Sequence, residues 1–192
     1  MFQAEQFVIR ELLRADLPAL QELFERNPDY FAITNDRLPY ANEAELEFDE
    51  RPPDHLRYGH RWFAGIFDGK GSIQGVIHVV SDLMAPAVWH LAFLFVAADL
   101  RGTGATQTIY NELESWMRRA GAAWIRLGVV VGNARAQRFW ERQGYLHTAL
   151  RQGVDTGGKI NDVQMLVKPL ADGSVEQFVA LIPRDDPASS RS

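Results

Sequence analysis

Two hydrophobic patterns alternate along the chain, and together they predict a mixed α/β fold. Short runs that are almost continuously apolar, such as VWHLAFLFV over Val88–Val96, are typical of buried strands. Segments such as 104–120 instead place apolar residues three or four positions apart, which is typical of amphipathic helices. The patterns predict strands over residues 7–12, 61–68, 72–83, 88–96, 123–131, 145–154 and 160–168, and helices over residues 15–27, 43–48, 104–120 and 133–144.

Turn residues mark the boundaries between these elements. DGKG between two predicted strands indicates a hairpin over residues 61–83, and DTGGK joins the last two strands. Asp16 is expected to cap the first helix, because acidic residues are common there and Pro18 would lie in the first turn. We therefore expect compact elements joined mostly by short connections.

Two segments lack a clear pattern. Residues 28–56 contain three prolines after Pro28 and a broken apolar pattern, so they are predicted to form a long loop around the short helix 43–48. Beyond position 170 the chain has one small apolar patch, VEQFVALI, and it ends in PRDDPASSRS, which is expected to be disordered. We therefore expect a single domain over residues 1–170 and a C-terminal tail over residues 171–192.

Composition narrows the possible functions. The chain has 192 residues, 46% of them hydrophobic and 23% charged, which suits one soluble domain. Its net charge of −5 argues against a nucleic-acid partner. The absence of cysteine excludes disulfides, cysteine-ligated zinc and a cysteine nucleophile, and no metal site is predicted. The sequence has no signal-peptide pattern and no membrane span, so a cytoplasmic location away from membranes is expected.

The stretch DLRGTGATQTIYNELESW, from Asp99 to Trp116, joins a predicted buried strand to a predicted helix. It is not a Walker P-loop, because Ala105 and Thr106 follow its last glycine, and Gln107 replaces the third glycine of a dinucleotide fingerprint. Amides at a helix start nevertheless attract anions, and glycines let a pyrophosphate approach them closely. The junction is therefore either an anion site or a plain strand-to-helix turn.

Two motifs in this half of the chain resemble those of the GCN5-related N-acetyltransferases. RGTG, over 101–104, is similar to the family's Arg-x-x-Gly-x-Gly/Ala loop, and NARAQRFWERQGY, over 133–145, is similar to the second half of its coenzyme A site. The resemblance covers about 88–145 and depends on both motifs in this order and spacing. It implies an α/β (α+β) fold with a mixed, mostly antiparallel central sheet, helices on both faces and a splay between the two central strands.

The resemblance also implies acetyl-coenzyme A (acetyl-CoA) as co-substrate. The family's loop amides wrap the pyrophosphate, and the open edge of the preceding strand pairs with the pantetheine arm and supplies an oxyanion-hole amide. Asn133 is expected either to touch that arm or only to cap its helix. Thr106 stands where the family prefers glycine or alanine, but its amide can still donate. The residues implied in cofactor binding are Leu94, Phe95, Val96, Arg101, Gly102, Thr103, Gly104, Ala105, Thr106, Asn133, Ala136 and Trp140.

Trp140 is a second departure from the family pattern. Family members often have a tyrosine there, which acts as general acid toward the coenzyme A sulfur. An indole N–H does not readily lose its proton, so Trp140 is predicted to pack beside the cofactor arm instead. The sequence does not assign the acid role to Tyr110 or Tyr145.

The resemblance implies direct transfer of an acetyl group to a primary amine in a ternary complex. The acceptor would be a small-molecule amine or an amine of a peptide or protein. The acidic segment 42–56 either attracts a cationic amine or is an ordinary solvated surface. A homodimer is left open.

His90 is the leading candidate for the general base. Strand alternation would place it on one face with Ala92, Leu94 and Val96, and some histone-acetylating family members carry a catalytic glutamate at the equivalent place. The ordinary pKa of histidine also suits proton transfer near neutral pH. The alternative is a histidine hydrogen-bonded in the core. The weaker candidates are Asp82 and His78, followed by Glu47, Asp54 and His55.

Two other functions remain open at this stage. A non-catalytic acyl-CoA sensor would keep the glycine loop and Asn133 but would need no base. An unrelated nucleotide-binding module would bind ATP or NAD and would not respond to coenzyme A. Turnover of acetyl-CoA with an amine would separate the first from an enzyme.

Overall fold

A computed structural model describes residues 1–187 and gives this part of the chain the expected mixed α/β fold. The strands are β1 Phe2–Ala4, β2 Phe7–Glu11, β3 Arg61–Phe67, β4 Ile73–Val80, β5 Val88–Val96, β6 Trp124–Val130, β7 Leu146–Asp155 and β8 Ile160–Pro169. The helices are α1 Leu17–Arg26, α2 Asp29–Asn35, α3 Glu43–Asp49, α4 Ala105–Arg119, α5 Ala134–Arg142 and α6 Val175–Leu181.

The eight described strands form one sheet in the order β1-β2-β3-β4-β5-β6-β8-β7. Every neighbouring pair is antiparallel except β5 and β6, which are parallel. A parallel pair needs a long crossover, and α4 supplies it between β5 and β6. The predicted hairpin of β3 and β4 is confirmed.

The central pair of strands opens into a splay. Strands β5 and β6 are paired only where Val88–His90 lie beside Trp124–Arg126. Beyond His90, the β6 side of β5 has no strand partner within the described chain, although β4 continues to pair with its other side. An open strand edge therefore lies in the middle of the sheet, as the family resemblance implies.

A β-bulge in β5 reverses the expected alternation of its side chains. Opposite the β4 residues His78 and Val79 the register shifts from Phe93 to Leu91, which leaves Ala92 as an extra residue. As a result Leu91 packs in one hydrophobic core and Phe93 in the other. The prediction that His90 shares a face with Leu94 and Val96 is therefore wrong, since these residues lie on opposite sides of the bulge.

Helices cover both faces of the sheet. On one face, Ile109, Leu113 and Met117 of α4 pack with β5, β6 and Trp140 of α5. On the other face, residues of α1 and α2 pack against strands β3, β4 and β5; the contributing residues include Leu20, Leu23, Phe24, Phe31, Phe63, Phe93 and Phe95. No helix within residues 1–187 is long and apolar enough to cross a membrane.

Two local predictions differ from the structure. The carboxylate of Asp16, at the start of α1, accepts hydrogen bonds from Arg10 and from the Leu13 amide, both at 2.8 Å. It therefore stabilises the preceding turn and does not cap α1. Helix α2 lies in the segment that was predicted to be a loop. Its seven residues bury only Phe31 and Thr34, so the sequence shows no clear helical period there.

The C-terminal segment predicted as a tail packs on the sheet. The ring of Phe178 in α6 is completely buried and lies 5.6 Å from the ring of Trp124 in β6. Ser174 begins α6 with a capping box formed with Gln177. A 3₁₀ turn over Pro183–Asp185 follows, and positions 188–192 of the predicted disordered end lie outside the described residues.

Candidate active site

The glycine loop between β5 and α4 is shaped by two left-handed residues. Gly102 has φ of 79° and Gly104 has φ of 93°, conformations that cost glycine little and other residues more. A Cβ atom at either position would meet nothing within 4 Å. The space above the loop is therefore open to a ligand.

The loop offers unpaired amides at the start of α4. The amides of Arg101, Thr103 and Ala105 are hydrogen-bonded within the loop, at 3.2, 3.4 and 3.3 Å. In the described chain, those of Gly102 and Gly104 have no hydrogen-bond acceptor. Because α4 is a 15-residue helix whose dipole is positive at this end, these amides favour an anion.

The side chain of Arg101 holds this loop in place. Its Nε donates to the carbonyl of Val96 at 3.1 Å, and its Nη1 forms an ion pair with Asp29 of α2. Arg101 thereby ties the glycine loop to the end of β5 and to α2. The side chain of Arg101 therefore stabilises the loop, while its backbone belongs to the candidate anion site.

A cleft of about 440 Å³ extends from this loop along the open edge of β5 to α5. It brings together ten of the twelve residues predicted for cofactor binding, and Thr103 and Ala105 are not part of its lining. We call it the loop cleft. Its lining is Asp29, Tyr30, Ile33, Leu94, Phe95, Val96, Arg101, Gly102, Gly104, Thr106, Gln107, Asn133, Arg135, Ala136, Phe139, Trp140 and Arg142.

Asn133 caps α5 and also lines the loop cleft. Its Oδ1 accepts a hydrogen bond from the Ala136 amide at 3.1 Å, which confirms the predicted cap. Contact of Asn133 with the pantetheine arm stays a prediction. The cap leaves the amide group of the side chain free to donate, since only its oxygen is used by the helix.

Trp140 is packed among aromatic rings. Its ring lies 4.8 Å from Phe139, 5.4 Å from Tyr110 and 5.3 Å from Tyr145. The hydroxyl of Tyr110 donates to that of Tyr145 at 3.1 Å, and burial raises the pKa of both tyrosines. Neither tyrosine lines the loop cleft, and both are buried in the hydrophobic core.

A second cleft, of about 480 Å³, lies between α2, α3 and the turn that joins β7 to β8. We call it the acidic cleft, because its charged lining is mostly carboxylate. The acidic residues that line it are Glu43, Glu47, Glu50 and Asp155.

Only some of these carboxylates lack a partner of opposite charge. Arg37 binds Glu43 through two hydrogen bonds of 2.7 and 2.9 Å and neutralises it. Asp155 accepts from the amides of Gly157 and Gly158, at 3.0 and 2.8 Å, and has no cationic partner in the described chain. Glu47 and Glu50, near the end of α3, form no hydrogen bond through their carboxylates within the described chain.

The environment of Glu47 makes it an unusual acid. Burial raises its pKa to about 8, and the nearby charges of Glu50 and Glu43 contribute in the same direction. Burial also raises the pKa of Glu50. Arg61 donates to the backbone carbonyls of Glu47 and Phe48, both at 3.0 Å, and so fixes the end of α3 that carries Glu47.

A small cavity of about 100 Å³ lies in the splay, and we call it the passage because it shares lining residues with both clefts. Its walls are residues 91–94 of β5 and 127–130 of β6, which separate beyond His90. It shares Trp140 and Asn133 with the loop cleft, and it shares Gly128 and Thr34 with the acidic cleft. The splay therefore places the two clefts next to each other, with the passage between them.

The structure does not bring the two leading base candidates to these clefts. The Nδ1–H of His90 donates to the carbonyl of Arg126 at 3.0 Å, at the paired end of β5. Burial and the Arg126 guanidinium lower the pKa of His90 to about 3. Asp82 has φ of 51° in the turn after β4, and its carboxylate accepts from the Ala87 amide at 2.7 Å.

The weaker candidates fall into three environments. Buried His78 accepts from Arg61 at 2.9 Å, and burial lowers its pKa to about 3. Asp54 and His55 are exposed and do not line the clefts. Glu47 alone of the weaker candidates lines one of these clefts.

Sequence reasoning missed Tyr30, which lines the loop cleft, the acidic cleft and the passage. It lies on α2, the helix that was predicted to be a loop. Pro28 followed by Asp29 is a helix-start signal that could have revealed this element. No local pattern indicates that α2 would cover the splay.

The family model described as the acetyltransferase (GNAT) family matches residues 18–145. The chain therefore belongs to the GNAT acetyltransferases, the GCN5-related family, and is an acyl-CoA-dependent N-acetyltransferase. The match begins in α1 and ends just after α5, so it includes both motifs and the splay. No curated protein matches the chain in sequence.

Solved structures share the fold at low sequence identity. An acetyltransferase from Thermus thermophilus has 20% identity and a TM-score of 0.67, with 88% of this chain and 100% of that one covered. Spermidine N-acetyltransferase from Vibrio cholerae, in complex with CoA and spermine, has 18% identity and a TM-score of 0.65, with 86% and 96% covered. Ribosomal-protein-S18-alanine N-acetyltransferase from Escherichia coli has 16% identity and a TM-score of 0.61, with 88% and 97% covered.

Proposed function

We propose that this protein transfers an acetyl group from acetyl-CoA to a cationic primary amine by direct attack in a ternary complex. The observation that carries the proposal is the passage in the splay, which shares lining residues with the loop cleft and with the acidic cleft. Two substrates bound in separate clefts can react directly only where those clefts meet.

The loop cleft suits coenzyme A. The unpaired amides of Gly102 and Gly104 fit a pyrophosphate, and Arg135 and Arg142 add positive charge to the lining. The unpaired edge of β5 beyond His90 offers backbone groups to a pantetheine arm. When bound, acetyl-CoA supplies an activated acyl group whose thiolate is a tolerable leaving group.

The acidic cleft suits a cationic acceptor. Arg37 neutralises Glu43, but the carboxyl groups of Glu50 and Asp155 remain in the lining to attract an ammonium group, and Glu47 adds its charge once it has lost its proton. A polyamine carries positive charge that complements this lining. Spermine, a polyamine, is present with CoA in the Vibrio cholerae spermidine N-acetyltransferase structure. The amine of a peptide or protein is the second candidate, as in the Escherichia coli alanine N-acetyltransferase.

Glu47 is the best-placed general base. An ammonium group has a pKa of about 10, so it must lose a proton before its nitrogen can attack. That proton would move uphill by about two pKa units to Glu47, but by about seven to His90. In the transfer itself, the N–C bond forms, the C–S bond breaks, a second proton leaves nitrogen, and sulfur gains one.

An amine panel assayed for free coenzyme A tests this function. Thiol reagents can report the product directly, because the protein contains no cysteine to contribute background. We expect turnover with spermidine and little with an uncharged or acidic amine of similar size, measured against acetyl-CoA hydrolysis without any amine. Tight binding of acetyl-CoA with no turnover across the panel would instead favour the acyl-CoA sensor.

A further inference from the structure

Tyr30 is the one described residue that lines both the loop cleft and the acidic cleft, and it also lines the passage between them. Any acyl transfer between ligands of these clefts must take place beside it. The departing sulfur would arrive from one side of Tyr30 and the attacking nitrogen from the other.

Aromatic contacts hold the ring of Tyr30 at this junction. Its centroid lies 5.0 Å from Phe93, 5.3 Å from Phe31 and 5.8 Å from Phe95. Thr34, one turn later on α2, donates its hydroxyl to the backbone carbonyl of Tyr30 at 2.9 Å and also lines the passage. The ring is therefore fixed by packing, and a phenylalanine in its place would keep these contacts.

The phenol stays protonated. Burial raises the pKa of Tyr30 above its usual range, and the nearby charge of Glu47 raises it further. A lasting phenolate is consequently unfavourable at this position. The hydroxyl can still pass a proton if it receives another in the same step.

The reaction needs such a transfer. After Glu47 takes one proton from the ammonium group, the neutral nitrogen still loses a second proton as the N–C bond forms. The sulfur requires one proton as the C–S bond breaks. Trp140, at the position where the family often has a tyrosine acid, is packed among aromatic side chains and carries only an indole N–H.

We propose that the Tyr30 hydroxyl relays this proton, giving its own to the departing sulfur and accepting one from the attacking nitrogen. Tyr30 ends the step unchanged, so atoms and charge balance. The inference rests on the proposed function. It makes Tyr30 a catalytic residue supplied by α2, in place of one supplied by α5.

Tyr30→Phe tests the relay, and Tyr40→Phe is its matched control. Tyr40 lines the acidic cleft but not the loop cleft or the passage. The first measurement is the pKa of the CoA thiol in the protein complex, and it needs no acceptor. The thiolate is followed by its absorbance, and the absorbance of the complex with desulfo-CoA is subtracted from that of the complex with CoA. A hydroxyl that donates to sulfur stabilises the thiolate, so Tyr30→Phe should raise this pKa by about one unit.

The second measurement is steady-state turnover. Tyr30→Phe should lower kcat by about tenfold to a hundredfold, with the KM for the acceptor little changed. Tyr40→Phe should leave the thiol pKa at the wild-type value. An unchanged thiol pKa in Tyr30→Phe would overturn the relay, and so would an unchanged kcat.

These two readouts separate the relay from the proposed function. If the wild type acetylates no amine but Tyr30→Phe still raises the thiol pKa, the proposed function fails while the contact of Tyr30 with sulfur is supported. If the wild type turns over and Tyr30→Phe changes neither readout, the relay alone fails.

Discussion

At the scale of single residues, a general base must meet the acceptor and hold a proton near neutral pH. His90 meets neither condition, because it is bonded to the Arg126 carbonyl and its pKa is lowered to about 3. Glu47 lines the acidic cleft and its pKa is raised to about 8. Partial burial of a carboxylate costs folding stability. Here it also raises the pKa of Glu47 toward a value that suits proton transfer near neutral pH.

Replacing Glu47 tests this assignment. Glu47→Gln should lower kcat by about a hundredfold, because the ammonium group loses its proton acceptor. In the wild type, kcat/KM should fall as pH drops below about 8, since Glu47 of the free enzyme becomes protonated there. That acid limb should vanish in Glu47→Gln, as measured by a pH–rate profile.

Two comparisons make the result specific to Glu47. Glu45→Gln changes an exposed carboxylate on the same helix and should behave as the wild type. His90→Ala should retain the acid limb. If His90→Ala loses the limb and Glu47→Gln keeps it, the sequence-based assignment of His90 is right and ours is not.

At the scale of elements, the sequence predicted what depends on local pattern. Strand β5 has the predicted bounds, and Asn133 caps α5 as expected. The bulge at Ala92 was not predictable, because it depends on the register with β4 across the sheet. Since a bulge reverses alternation, one extra residue was enough to move His90 away from the predicted face.

The acceptor side of the proposed site was predicted only in part: the sequence predicts the helix over 43–48 and includes Glu47 among the weaker base candidates, but it misses α2 and Tyr30. Helices α2 and α3 are seven residues each and expose most of their surface, so their periodicity is weak. Tyr30 and Glu47, the residues that we propose to be catalytic, are brought to the clefts by the packing of these helices beside the splay. The loop and α5 carry dense motifs and could be predicted, whereas the junction between the clefts is a tertiary property.

The glycine loop gives a prediction at this scale. Gly104→Val should weaken CoA binding by well over tenfold, about 1.4 kcal/mol or more, because a side chain would fill the open space above the α4 amides. Isothermal titration calorimetry measures this effect. Valine at φ of 93° also strains the backbone, so the strain needs its own control.

Gly121→Val supplies that control at the other end of α4. Gly121 has φ of 104°, and a Cβ there would likewise meet nothing within 4 Å. The strain is similar, but Gly121 is not in the lining of the loop cleft. Equal losses of affinity in the two variants would mean that strain, and not blocked access, explains the effect at Gly104.

At the scale of the whole molecule, the C-terminal segment binds to the sheet where β5 and β6 are still paired, next to the splay. Asp185 is completely buried and accepts from Arg126 of β6, at 3.1 Å from Nη2, and from Arg151 of β7, at 2.9 Å. Arg126 is also the residue whose carbonyl holds His90 of β5. One carboxylate therefore links β6 and β7, which β8 separates in the sheet, to residues that sequence analysis assigned to a tail.

The pH dependence of stability has a defined sign. Burial opposes ionisation of Asp185, but the hydrogen bonds and charges of Arg126 and Arg151 outweigh it and hold its pKa below the usual value. Such a group stabilises the fold above an unfolded pKa of about 4, and this contribution is lost as pH falls through the lowered pKa. His78 and His90, both with pKa lowered to about 3, make stability fall as pH drops below about 6.5.

Asp185→Asn should lower the free energy of unfolding at neutral pH by about 3–5 kcal/mol, because it leaves Arg126 buried without its counter-ion. Urea unfolding measures this loss, with Asp172→Asn, an exposed change in the same segment, as the control. The gap between Asp185→Asn and wild type should narrow toward acid pH as the wild-type carboxylate is protonated. The two histidines are present in both proteins, so their effects cancel in the difference. A gap that is below about 1 kcal/mol, or that is constant with pH, would show that Asp185 packs in the fold without stabilising it through charge.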